Sequence, residues 1–134
     1  TGPSDTFLPF SPLLRSAQPM KPSALLPADR PDVCLLAPPA ANVAHGIVSQ
    51  AVLTAPGLRV TLFRFAAGQE LSEHTSTARV LVQVLSGACD FMAAGHSHAL
   101  RAGQLLHLPP GVIHSVKATE ELTMLLTQAS NANA

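Results

Sequence analysis

The feature that most constrains the fold is a series of short apolar segments, beginning near Asn42, in which apolar and polar positions alternate. In Arg79–Ser86, valine occupies every second position from Val80 to Val84, which is the period of a β-strand with one buried face. Leu122–Gln128 shows the same alternation, and glycine, proline or charged turns separate such segments about every ten residues. This pattern predicts an all-β sandwich or barrel with almost no helix.

Eight candidate strands follow from this alternation. They are Ile47–Thr54, Leu58–Phe65, Arg79–Ser86, Ala88–Ala93, Ser97–Arg101, Gln104–Leu108, His114–Ala118 and Leu122–Gln128. The alternation assigns one face of each strand to the interior, and it places His114 on such an apolar face. We expect an apolar pocket lined by Val80, Val82, Val116 and Met124.

The first 40 residues contain nine of the twelve prolines of the chain. Each proline fixes φ and lacks a backbone donor, so this region cannot form regular helix and forms at most an edge strand. We therefore expect residues 1–41 to be an extended proline-rich N-terminal arm and residues 42–130 to form the barrel. Within the arm, the apolar run Asp32–Leu36 is a candidate strand that pairs in this chain or in a partner.

Charge and cysteine content exclude several classes of partner. Eight Lys and Arg balance eight Asp and Glu, so no positive field is available to hold nucleic acid or an anionic membrane. Charged residues are only 12 % of the chain, roughly half the usual share, which favours self-association as a homodimer. Cys34 and Cys89 are too few for a disulfide framework and indicate reduced thiols. With no signal-peptide pattern, we expect a cytoplasmic protein.

Two segments carry histidine, glycine and proline at fixed spacings: Gly68, His74 and Gly87 in the first, and Gly103, Pro109, Gly111 and His114 in the second. They resemble the two motifs of the cupin superfamily, G-x5-H-x-H-x3-E-x6-G and G-x5-P-x-G-x2-H-x3-N. The resemblance extends over about residues 43–128. It implies a small single-domain cupin with an RmlC-like jelly roll, or double-stranded β-helix, a ligand site in the barrel mouth, and a homodimer.

The resemblance also implies a metal site, from which this chain departs. Cupins that hold a metal use three histidines and one glutamate for a divalent iron, manganese, nickel, copper or zinc ion. Here the slots of the second histidine, the glutamate and the terminal asparagine hold Ser76, Val80 and Ala118. The implied ligands are thus His74 and His114, a weaker set than usual, and the candidates for a third are Ser76 and His107. The alternative is that both motif histidines are core residues bonded to backbone or water.

Arg64 is a candidate anchor for a carboxylate. It shares its strand face with Leu58, Val60 and Leu62, so its guanidinium would enter the barrel if that face is the inner one. An arginine at the solvated edge is the alternative.

Two functions follow from these features. The first is a metal-dependent enzyme acting on a small molecule, whose reaction type (isomerase, dioxygenase or lyase) the resemblance does not select. The second is a metal-free module that binds a small molecule as a sensor, without catalysis.

Overall fold

The described part of the chain, residues 24–36 and 46–131 of a computed structural model, is built from β-strands joined by turns. Nine strands lie in these ranges: β1 (Ile47–Ala55), β2 (Leu58–Phe65), β3 (Glu70–His74), β4 (Arg79–Ser86), β5 (Ala88–Ala93), β6 (His96–Arg101), β7 (Leu105–Leu108), β8 (His114–Ala118) and β9 (Leu122–Ala129). No helix within the ranges is long and apolar enough to cross a membrane.

The strands form two antiparallel sheets that pack face to face. One sheet has the order β1-β2-β9-β4-β7 and the other has the order β3-β8-β5-β6. Neighbours in the sheets are often distant in sequence, as where β9 pairs with both β2 and β4. This arrangement confirms the predicted all-β jelly roll.

Eight of the nine strands coincide with predicted ones, and the bounds differ by a single residue at four of their ends. The ninth strand, β3, is not among the predicted ones. Leu71 is its one partly buried residue, and the other four are exposed. A strand with so little buried surface shows no alternation in the sequence.

The core lies between the two sheets and consists of their inward-facing side chains. Alternation in β4 is complete, since Val80, Val82 and Val84 are each at most 2 % exposed while Arg79 and Leu81 face outward. Burial of these apolar surfaces is the main favourable term for folding. The core cluster comprises Phe65, Val80, Val82, Val84, Cys89, Phe91, Ala93, Leu100, Leu108, Val116, Ala118, Leu122 and Met124.

Only part of the predicted arm lies within the described residues; residues 1–23 and 37–45 lie outside them. The backbone N–H groups of Leu25 and Leu26 donate to the carbonyls of Ala51 and Val52 on the edge strand β1, at 3.1 and 2.8 Å. The run Asp32–Leu36 forms no strand here, so the prediction that it pairs within this chain is wrong. Pairing with a second copy stays a prediction.

Gly87, in the tight connection between β4 and β5, allows a test of the turn geometry. Its φ is +85°, and a Cβ atom there would collide with the carbonyl oxygen of Glu121. Gly95 has a similar φ of +81° but has no atom within 4 Å of such a Cβ. We therefore expect Gly87→Ala to cost more than about 3 kcal/mol in the free energy of unfolding, and Gly95→Ala about 1 kcal/mol of backbone strain.

Urea unfolding followed by circular dichroism would measure both variants. Equal losses at the two glycines would contradict the close packing of the β4–β5 turn on the β8–β9 connection.

Cys89 provides a test of core burial through pH. Burial, with a smaller contribution from the Asp90 carboxylate, raises the pKa of its thiol from 9.0 to about 11. Between these two pH values the thiol ionises in the unfolded state and stays neutral in the folded state. The contribution of Cys89 to the free energy of unfolding is therefore fully present below pH 9 and is lost as pH rises toward 11. The loss should be on the order of 2 kcal/mol.

Urea midpoints of the wild type and Cys89→Ala at pH 8 to 11 would measure this dependence. No tyrosine is present to titrate in the same window. Between pH 9 and 11, the free energy of unfolding should fall less in Cys89→Ala than in the wild type. An equal fall in both proteins would show that the Cys89 thiol is not buried as described.

Candidate functional site

A cavity of about 190 Å³ opens between the two sheets at one end of the barrel. One part of its wall is polar and carries both motif histidines, and the rest is mostly aliphatic and aromatic. The lining residues are Phe63, Leu71, His74, Thr75, Ser76, Val80, Phe91, His114, Val116, Met124, Leu126 and Gln128. A concave, mostly apolar site with a few convergent polar groups is the usual form of a small-molecule site.

A β-bulge in the β3–β8 ladder brings His74 into this cavity. Leu71 pairs with Val116 and His74 pairs with His114, so three steps along β3 correspond to two steps along β8. Without the extra residue, strict alternation would place Glu73, and not His74, on the face of Leu71. The bulge therefore places the His74 ring beside Leu71 on the cavity wall.

His114 lies deeper in the same wall. It begins β8, is only 6 % exposed, and lies nearly parallel to the Phe91 ring at a centroid distance of 5.9 Å. The His74 ring, which is more exposed, meets the His114 ring edge to face at a centroid distance of 4.2 Å. The two motif histidines are thus direct cross-strand neighbours at the inner end of the mouth.

Backbone hydrogen bonds select the tautomer of both rings. Nδ1 of His74 lies 2.7 Å from the carbonyl oxygen of Ser72, and Nδ1 of His114 lies 2.9 Å from that of Val112. Because a carbonyl oxygen only accepts, Nδ1 carries a proton and donates it, so Nε2 is the nitrogen that holds the lone pair in the neutral form of either ring. Both rings line the cavity, and Nε2 of neither ring makes a hydrogen bond within the described residues.

The donor set does not fit the full metal site of the motif. Val80, in the glutamate slot, contributes methyl groups to the cavity wall. The Ser76 hydroxyl, in the second histidine slot, accepts a hydrogen bond from the Ala78 backbone N–H at 3.0 Å. Within residues 24–36 and 46–131, no group of three or more His, Cys, Asp or Glu side chains is placed to hold a metal ion. Two imidazoles without a carboxylate leave most of the coordination and all of the charge of a dication unmatched.

Two candidate site residues lie outside the cavity. His107 is on the outward face of β7, where its Nε2 is 2.8 Å from Nη1 of Arg79. Arg64 shares its face of β2 with Leu58, Val60 and Leu62, as predicted, but the inner face of this strand is the other one, which carries Phe63 and Phe65. Nη2 of Arg64 instead donates a hydrogen bond to Oε2 of Glu121 at 2.7 Å. The suggestions of His107 as a third ligand and Arg64 as an anion anchor inside the barrel are therefore corrected.

The predicted pocket residues are divided between the cavity and the core. Val80, Val116 and Met124 lie on the cavity wall, whereas Val82 is fully buried in the core cluster and is not on that wall. The wall residues that sequence reasoning missed are Phe63, Leu71, Thr75, Phe91, Leu126 and Gln128. The alternation of β2 and β5 contained a signal for Phe63 and Phe91, once the inner face of each strand is known.

The fold is shared with solved structures. A cupin superfamily protein from Desulfitobacterium hafniense is 23 % identical with a TM-score of 0.68, over 80 % of this chain and 96 % of that chain. A conserved protein of unknown function from Streptococcus pyogenes is 23 % identical with a TM-score of 0.65, over 81 % and 96 %. A cupin 2 conserved barrel domain protein from Leptotrichia buccalis is 28 % identical with a TM-score of 0.64, over 68 % and 44 %.

The two antiparallel sheets and the likeness to these structures define a cupin-type jelly-roll fold. No curated protein matches the chain. A family model described as the AraC-like ligand binding domain matches residues 59–130, which is more than half of the chain. The chain belongs to this family.

Proposed function

We propose that this domain binds a small, mainly apolar molecule in the barrel cavity and recognises its hydroxyl or amine group through His74 and His114, without a resident metal. The observation that carries the proposal is the pair of adjacent rings whose Nδ1 atoms are bonded to backbone carbonyls at 2.7 and 2.9 Å. The name of the family, AraC-like ligand binding domain, supports a binding role.

The size and lining of the cavity favour a molecule with one ring. Its volume is about 190 Å³, and an apolar protein cavity of about 150 Å³ is large enough for benzene. Phe63 and Phe91 lie on its wall together with aliphatic side chains. Aromatic walls favour an aromatic ligand through offset or edge-to-face contacts.

The buried histidine favours a ligand with a hydrogen-bond donor. His114 is 6 % exposed, and the only hydrogen bond of its side chain within the described residues is the one at Nδ1. A buried acceptor without a partner costs free energy, which a hydroxyl or amine of the ligand would recover. A molecule of the same shape without that donor would leave Nε2 unpaired, and this difference is a source of specificity.

A metal-dependent enzyme is the competing function. The two Nε2 lone pairs favour it, since a metal-binding histidine commonly donates its other ring N–H to a backbone carbonyl. It would require at least two further ligands from the bound molecule or solvent, because the cavity wall supplies no carboxylate or thiolate. The binding module requires nothing beyond the residues on the wall, and for that reason we favour it.

Binding of phenol and toluene by the wild type and by His114→Phe tests the proposal. The two probes differ by a hydroxyl in place of a methyl group, and phenylalanine keeps a planar ring against Phe91 but removes both nitrogen atoms. We expect the wild type to bind phenol about tenfold more tightly than toluene, since one good hydrogen bond to a buried acceptor is worth about 1.4 kcal/mol. Titration calorimetry would measure the dissociation constants.

His107→Phe, which removes an imidazole outside the cavity, is the matched control and should keep the preference for phenol. His114→Phe should lose the preference for phenol, because the buried hydroxyl no longer finds the His114 acceptor. Equal binding of phenol and toluene by the wild type would overturn the role of the two acceptors. Elemental analysis of the same samples would measure their transition-metal content. About one equivalent of metal per chain in the wild type, absent from His114→Phe, would overturn the metal-free form of the proposal.

A further inference from the structure

The open end of the barrel carries a second polar feature, Arg59 on β2. Arg59 has the same strand parity as Phe63 and Phe65, whose rings face the interior. It lines a cleft of about 280 Å³ outside the cavity, and Ser76 and Gln128 line both the cleft and the cavity. The cleft therefore adjoins the cavity at Ser76 and Gln128.

The pairing of β2 with β9 places Arg59 beside the cavity entrance. Arg59 is directly opposite Gln128 in the ladder, and side chains in such a pair start about 5 Å apart on the same face. Gln128 belongs to the cavity wall itself. The guanidinium of Arg59 is thus within reach of any ligand group that extends past Gln128.

Arg59 has no side-chain partner within the described residues. Neighbouring arginines do: Arg64 is bonded to Glu121 at 2.7 Å, and Arg79 to His107 at 2.8 Å. No Asp or Glu lines the cavity, the cleft or the adjoining groove beside Arg79. The positive charge of Arg59 is therefore not neutralised by a carboxylate on the wall of the cavity or cleft, which favours an anionic ligand group beside it.

We propose that the ligand is an aromatic carboxylate whose carboxylate extends from the cavity to Arg59, an inference that rests on the proposed function. The guanidinium offers paired N–H donors that fit a carboxylate in a bidentate geometry. Arg59 and Phe63 are four residues apart on an extended strand, about 13 Å between Cα atoms. The carboxylate therefore needs a short spacer between it and the ring.

Three probes test this inference: 3-(4-hydroxyphenyl)propanoate, its primary amide, and 4-ethylphenol. All three carry the phenol that the histidine pair would recognise, and only the first carries a negative charge. We expect the acid to bind at least about tenfold more tightly than the amide at low salt, and this advantage to decline as salt is added.

Arg59→Gln and Arg101→Gln form a matched pair of variants. Each removes one positive charge from an exposed strand position, and Arg101, at the end of β6, lines neither the cavity nor the cleft. Arg59→Gln should abolish the advantage of the acid over the amide and leave 4-ethylphenol binding unchanged. Arg101→Gln should keep the advantage.

The outcomes separate the two proposals. If acid, amide and 4-ethylphenol bind equally to the wild type, and all bind more weakly to His114→Phe, the binding function holds and the role of Arg59 is overturned. An equal effect of the two arginine variants would also overturn it, because it would show a general charge effect. If no probe binds the wild type, both proposals fail.

Discussion

The bulge in the β3–β8 ladder is the local constraint on which the site depends. A regular ladder would place His74 on the opposite face from Leu71 and would leave His114 facing the cavity alone. The one extra residue reverses the parity at the end of β3 and places two imidazoles in direct cross-strand contact. Bulges often re-aim a side chain at a functional site in this way.

The backbone then holds the two rings in one orientation. Each Nδ1 donates to the carbonyl two residues earlier in its own strand or turn, so the backbone orients both rings in addition to their contact with each other and the contact of His114 with Phe91. A polar site built on strands and oriented by the backbone needs little reorganisation when it binds. The same geometry would serve a metal, but the remaining motif slots hold Ser76 and Val80, and these do not complete a ligand set.

The polar groups of the barrel mouth are separated along its length. His114 is buried at the inner end, His74 is more exposed, and Arg59 lies in the cleft beyond Gln128. Between them are aromatic and aliphatic walls. This order matches a ligand with a neutral donor at one end and a negative charge at the other.

Alternation in the sequence was sufficient for most of the fold, because strands such as β4 have one fully buried and one exposed face. It failed for β3, which has a single partly buried residue, and a bulge cannot be recognised from period-two patterning. The spacing of the two motifs, and not alternation, identified His74 and His114 together.

The choice of the inner face on β2 was not accessible from the sequence. Leu62 on the outer face is only 2 % exposed and Phe65 on the inner face is fully buried, so both faces are apolar and parity cannot tell them apart. For this reason Arg64 was a candidate anchor, whereas Arg59, five residues earlier and of opposite parity, is the arginine of the barrel mouth. His107 was ambiguous in the same way, because Leu105 shares its face of β7 while Leu106 and Leu108 lie on the other, so both faces carry leucine.

The proposed binding function requires both motif histidines to present an Nε2 lone pair to the cavity. Long-range nitrogen–proton correlation spectra of the ¹⁵N-histidine-labelled protein at neutral pH test it most directly, with the signals assigned by His74→Gln and His114→Gln. We expect both rings to be neutral tautomers protonated at Nδ1, with the chemical shift of an unprotonated nitrogen at Nε2. Protonation at Nε2 in both rings would contradict it, since neither ring could then accept a hydrogen bond from a ligand.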